Sequence, residues 1–123
     1  MTYTDTSARI ADAIAARTNA ANPYTARVRG WSNAYTETRY TVVEYADGWT
    51  LELASASCPR GDMFDTIAAI YTPNRENLAY GTGRNAADAI ADLIAVIDEC
   101  TDYYTDERYE RAAEIARNAA EAL

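Results

Sequence analysis

Histidine, lysine and glutamine are all absent from the 123 residues. Without histidine the chain lacks the side chain that most often serves as general base or metal ligand near neutral pH, so catalysis would rest on Asp, Glu, Tyr or Cys. Without lysine, all eleven bases are Arg, set against nineteen acids for a formal net charge of -8. That balance argues against direct binding of nucleic acid through a broad basic surface. Long apolar runs are missing too. From Met1 to Ala21, Asp5, Arg9, Asp12 and Arg17 interrupt small apolar residues, so no secretion signal is expected. The most apolar segment is broken by Asp88, Asp92 and Asp98, short of the roughly 18 residues that a spanning helix needs. These absences lead us to expect a soluble cytoplasmic protein with no membrane partner, its Cys58 and Cys100 both kept as free thiols.

What is present suits one domain over residues 1–123. At 49% hydrophobic and 24% charged the chain is not disordered, and at this length its core needs no disulfide or metal staple. Ile10, Ala13 and Ile14 share a helical face over Thr6 to Thr18, with Thr6 or Ser7 as N-cap. Alternation from Tyr24 to Trp31 predicts a strand. Arg39 to Ala46 and Trp49 to Ala54 flank Asp47-Gly48, the dipeptide suited to a two-residue type I′ turn, so a hairpin is expected. That turn would put Tyr40, Val42, Glu44, Ala46, Trp49, Leu51, Leu53 and Ser55 on the core face. Thr41, Val43, Tyr45, Thr50 and Glu52 would then meet solvent or a partner. Cys58-Pro59 and Gly61 predict a loop over Ser57 to Asp62. Residues 63–72 fit either a strand or a short helix, and Leu78 to Tyr80 reads as a short last strand.

Asn85 and Asp88 form a capping signal for a helix carrying Ile90, Leu93, Ile94 and Ile97, and a second helix follows from near Thr105 with an Ala-rich face. The expected class is therefore α+β, a three- to four-stranded antiparallel sheet with one helix before it and two after.

Gly81-Thr82-Gly83-Arg84-Asn85-Ala86 matches the opening of a dinucleotide fingerprint, but a Rossmann unit needs a parallel strand after the helix, where this chain has a second helix. Neither a cofactor nor a metal is expected. Asp98, Asp102 and Asp106 lack the Ca²⁺-loop pattern, and Cys58 beside Arg60 is an ordinary loop cysteine before it is a nucleophile. The Gly81 to Ala89 segment resembles the end of a double-stranded RNA-binding domain, whose last strand turns through G-x-G-x-S into a final helix. In element order the resemblance spans residues 40–97. The family's phosphate-binding lysines fall on Ala86 and Ala87, with Asp88 beside them, so it implies a fold without RNA binding.

Charge is unevenly placed. Residues 1–36 carry +2, residues 37–84 carry -3 and residues 85–123 carry -7. Asp88, Asp92, Glu99 and Asp102 align opposite Ile90, Leu93 and Ile97, over roughly 21 Å of helix, at spacings comparable with successive phosphates. A solvated helix face is the plain alternative. Ten tyrosines supply possible interface anchors, with Tyr45, Tyr103 and Tyr104 expected at a contact and Tyr40, Tyr71 and Tyr80 in the core.

In size, acidity and lack of catalytic residues the chain is similar to the small inhibitors that phages and mobile elements encode against host defence, anti-CRISPR and antirestriction proteins among them. The resemblance implies a non-enzymatic inhibitor that blocks a basic nucleic-acid-binding protein or complex, as a mimic of its ligand. Asp88, Asp92, Glu99, Asp102, Tyr103, Tyr104 and Tyr45 would be its contacts. A regulatory or antitoxin-like adaptor using the sheet face of Val43, Tyr45, Thr50 and Glu52 is the alternative, and a small enzyme using Cys58 or an acid pair is a third. Monomer and dimer are equally compatible with the sequence.

Overall fold

The computed structural model describes residues 6–33, 38–56, 66–103 and 105–123. The chain runs α1 (Thr6–Ala21), β1 (Ala26–Asn33), β2 (Thr38–Tyr45), β3 (Thr50–Ala56), β4 (Thr66–Tyr71), β5 (Asn77–Gly83), α2 (Ala86–Tyr103) and α3 (Arg108–Glu121). The strands form one antiparallel meander in the order β1-β2-β3-β4-β5. The α+β class is as expected, with five strands rather than three or four. The span 66–71 is a strand, and the loop expected over 57–62, with Cys58, lies outside the described residues, as do Tyr35, Phe64 and Tyr104.

Helices cover one face of the sheet. Ile14, Val43, Leu51, Leu53, Ile70, Ile90, Leu93, Ile97 and Ile115 are fully buried between the layers. Burial of such side chains is worth about 1.5 to 3 kcal/mol each, which is what holds a sheet of short strands together. Ser7 does not cap α1. Its hydroxyl lies in the core, 2.8 Å from the Ser55 hydroxyl, which in turn lies 3.3 Å from that of Thr66, so each buried oxygen has a partner.

The hairpin register differs from expectation by one residue. Val43 faces Leu51, Thr41 faces Leu53 and Val42 faces Glu52. Of Asp47 and Gly48 only Gly48 has positive φ, at 94°, whereas a type I′ turn needs positive φ at both central residues. The loop is therefore the three residues Ala46, Asp47 and Gly48, closed by Gly48 N–H to the Tyr45 carbonyl and Tyr45 N–H to the Trp49 carbonyl, each at 2.9 Å. Ala46 is unavailable to pair with Trp49 because its N–H donates to the Thr25 carbonyl at 2.8 Å, fastening the turn to the start of β1. A one-residue slip moves a whole strand's side chains to the other face. Trp49, Leu51 and Leu53 lie in the core as expected, but on β2 Thr41, Val43 and Tyr45 are the buried partners and Tyr40, Val42 and Glu44 face outward.

The Gly81-Thr82-Gly83 segment has a packing explanation. A Cβ on Gly81 would lie 2.2 Å from the Leu93 nitrogen and one on Gly83 2.6 Å from the Ala89 nitrogen, so α2 rests directly on the backbone of β5. Glycine is required there by close approach of helix and strand. Asn85 caps α2 through its Oδ1, which accepts the Asp88 N–H at 2.8 Å.

Candidate functional site

The sheet face without helices carries three cross-strand rows fixed by the register. The first is Trp31, Tyr40, Ala54, Ile67 and Thr82; the second Arg29, Val42, Glu52, Ala69 and Tyr80; the third Arg27, Glu44, Thr50 and Tyr71. Alternation along each strand forces this, because every second residue already belongs to the core. Trp31 stacks on Tyr40 with centroids 5.3 Å apart and ring planes 15° from parallel, and the Arg29 guanidinium sits 5.5 Å from the Trp31 centroid. Trp31 remains 45% exposed and Tyr80 56%. Val42 and Ala69 are buried on this face, over which no helix lies among the described residues.

Glu52 sits at the middle of this face. Burial raises its carboxyl above the usual range, partly offset by a hydrogen bond from the Tyr71 hydroxyl. The same burial, with the Glu52 charge, raises Tyr71. Glu44 is shared by Arg27, at 3.2 Å, and Arg29, so the β1 side of the face is electrostatically compensated.

The acidic helix face exists as an arrangement. Asp88, Asp92, Glu99 and Asp102 are exposed on one side of α2, and none forms an ion pair among the described residues. Asp92 also has a structural task, since its carboxylate accepts the Thr82 backbone N–H at 2.9 Å on the outer edge of β5. Tyr103, at 80% exposed, continues the stripe, while its neighbour Tyr104 lies outside the described residues. Asp98 points to α3 and pairs with Arg117 at 2.8 Å.

Tyr45, expected at an exposed contact, is instead buried. It is 6% exposed in the core, its hydroxyl is buried without a partner among the described residues, and desolvation pushes its pKa up to about 12. Tyr40, Tyr71 and Tyr80, expected in the core, instead line the open face, while Tyr103 is exposed as expected. The adaptor face likewise loses Val43 and Tyr45 and keeps Thr50 and Glu52. The signal that identifies it is the alternation of Arg27, Arg29 and Trp31 on β1, legible once the hairpin register is known.

An open cleft of about 1030 Å³ lies beside Tyr45, between the end of α1, the β2–β3 turn and α3. Its cations are already engaged: Arg111 pairs with Asp47 at 2.9 Å and with Glu114, and Arg17 pairs with Glu121. Little charge is left there for a ligand. Among the described residues no three carboxylates or thiols converge as a metal cluster, and no helix is long and apolar enough to cross a membrane. Comparison of the chain with protein-family models, with curated proteins and with solved structures finds no match.

Proposed function

We propose that the protein is a non-enzymatic binding module that docks a basic partner protein on the open face of its sheet. The observation that carries this reading is the exposed Trp31 and Tyr80 flanking half-buried Glu52 on a face that no helix covers among the described residues. Aromatic anchors around a desolvated centre are the usual composition of an interface hot spot. A cationic side chain reaching Glu52 would meet a carboxylate in a weakly solvated setting, where a charge pair is stronger than at the protein surface. The net charge of -8 steers association toward such a partner.

A second reading, favoured by the unpaired row Asp88, Asp92, Glu99 and Asp102 on α2, is an inhibitor of the anti-CRISPR or antirestriction kind. It would occupy the basic groove of a nucleic-acid-binding protein or complex by charge mimicry, with Tyr103 as anchor. Affinity capture with two folded variants separates the readings. Combined Trp31→Ala and Tyr80→Ala should abolish retention of the partner if the sheet face docks it. Asp88→Asn, Asp92→Asn, Glu99→Gln and Asp102→Asn together should then change only the on-rate and its salt dependence. Loss of retention in the α2 variant alone, with competition by the partner's DNA or RNA, would establish the mimic instead.

A further inference from the structure

The two edges of the sheet are finished differently. On β5 the Thr82 N–H is taken by the Asp92 carboxylate, held there by α2 packed on the core face of the strand. On β1 only the first residue is covered, where the Asn19 side chain accepts the Ala26 N–H at 2.9 Å and donates to its carbonyl at 2.8 Å. Both backbone groups of Ala26 therefore point away from β2. In an antiparallel pair this orientation alternates, so Val28, Gly30 and Ser32 also turn N–H and C=O outward. Among the described residues nothing meets them. Three donors and three acceptors on a regular eight-residue edge form a template for another strand.

Gly30 is the second observation. A Cβ there would meet only the Tyr40 carbonyl oxygen, at an ordinary 3.5 Å, and its φ is not positive. The described residues give no reason for a glycine that weakens this strand, whereas strand glycines often mark the close approach of another backbone.

We propose that β1 pairs antiparallel with β1 of a second copy of this chain, on a two-fold axis through Gly30, joining two sheets into one of ten strands. The register follows from side-chain chemistry. With Gly30 opposite Gly30 of the partner copy, Val28 lies opposite its Ser32, and all six outward groups find a partner. Arg29 then falls opposite Trp31 of the other copy in the closer, non-hydrogen-bonded pairing on the open face, so that no two arginines are opposed. Axes through Val28 or Arg29 would instead set arginine against arginine, and an axis through Trp31 would use fewer of the described backbone groups. Trp31 then borders the seam, whereas Glu52 on β3 and Tyr80 on β5 stay clear of it, and the face becomes continuous across both copies.

Light scattering and sedimentation of the full chain alone, from about 1 to 500 μM, span the range expected for a small interface and test this without any partner protein. The mass should rise toward twice 13.5 kDa with concentration. Gly30→Pro removes an outward N–H that bonds nothing among the described residues, so it should stay folded by circular dichroism and monomeric throughout. With Cys58→Ser and Cys100→Ser, Gly30→Cys should cross-link to itself on oxidation and Val28→Cys should not, because only residue 30 meets its own copy within disulfide reach. A single-chain mass at every concentration overturns the proposal, as does undiminished association of folded Gly30→Pro, or cross-linking through residue 28 and not residue 30.

Discussion

Trp31 stacks on Tyr40 across β1 and β2 at 5.3 Å, on the face of the sheet opposite the one that buries Trp49. The two tryptophans are therefore separated by the sheet and should behave differently. Trp49→Ala opens a cavity in a packed core and should cost about 3 to 5 kcal/mol in urea unfolding. Trp31→Ala loses a half-exposed stack and should cost about 1 to 2 kcal/mol. In the single-tryptophan variants, acrylamide should quench Trp31 strongly and Trp49 weakly. Stronger quenching of Trp49 than of Trp31 would mean that the face assignment is inverted, and equal quenching that the two are not separated by the sheet.

Tyr45 supplies a pH test of the hairpin register. Its hydroxyl is buried without a hydrogen bond and its folded pKa is about 12, against 10.0 for an unperturbed tyrosine. The folded chain thus keeps a proton between pH 10 and 12 that the unfolded chain has released, and stability falls as pH rises through that window. The loss attributable to Tyr45 is on the order of 2 to 3 kcal/mol. Tyr45→Phe should gain about 1 kcal/mol at pH 8, by removing an unsatisfied hydroxyl, and a larger amount relative to wild type at pH 11. A solvent-facing Tyr45 would give no such difference.

Glu52→Gln should raise the melting temperature at pH 7. Burial raises the Glu52 pKa, so the folded state disfavours its charged form, and ionisation costs stability once pH rises above the unfolded value. The gain should shrink as pH falls and the wild-type carboxyl takes up its proton. If Glu52 anchors a cation of the partner, the same substitution weakens binding, an opposite sign measured on one variant.

Gly81→Ala should cost at least about 3 kcal/mol and lower the yield of folded protein, since its Cβ would overlap the α2 backbone at 2.2 Å and neither element can move without parting from the core. Gly30→Ala, with only an ordinary contact at 3.5 Å, should be close to neutral in the monomer. Chemical unfolding of both variants gives the comparison.

Much of the fold was legible along the chain because it rests on local periodicity. Ile90, Leu93 and Ile97 recur on one helical face with Asn85 and Asp88 capping it, and the observed α2 has that cap and that buried face. The alternation over β3 correctly sends Trp49, Leu51 and Leu53 inward. The exposed carboxylates on α2 were readable for the same reason, since a helix that buries one stripe must present the opposite one.

What the sequence by itself determined is the α+β class, the helix faces and the concentration of acid in the last third. Tertiary structure alone decided which face of β2 is buried, and with it which tyrosines are free to bind. Asp47-Gly48 permits a two-residue or a three-residue loop at little difference in local energy, and the choice falls to the Ala46 N–H, which finds its acceptor at Thr25, twenty-one positions earlier. That long-range bond, together with the burial of Val43 and Tyr45 against the helices, exchanges the two faces of the strand. The open edge of β1 is likewise invisible in sequence, because an edge is defined by the absence of a neighbour and the order of strands exists only once the sheet has formed.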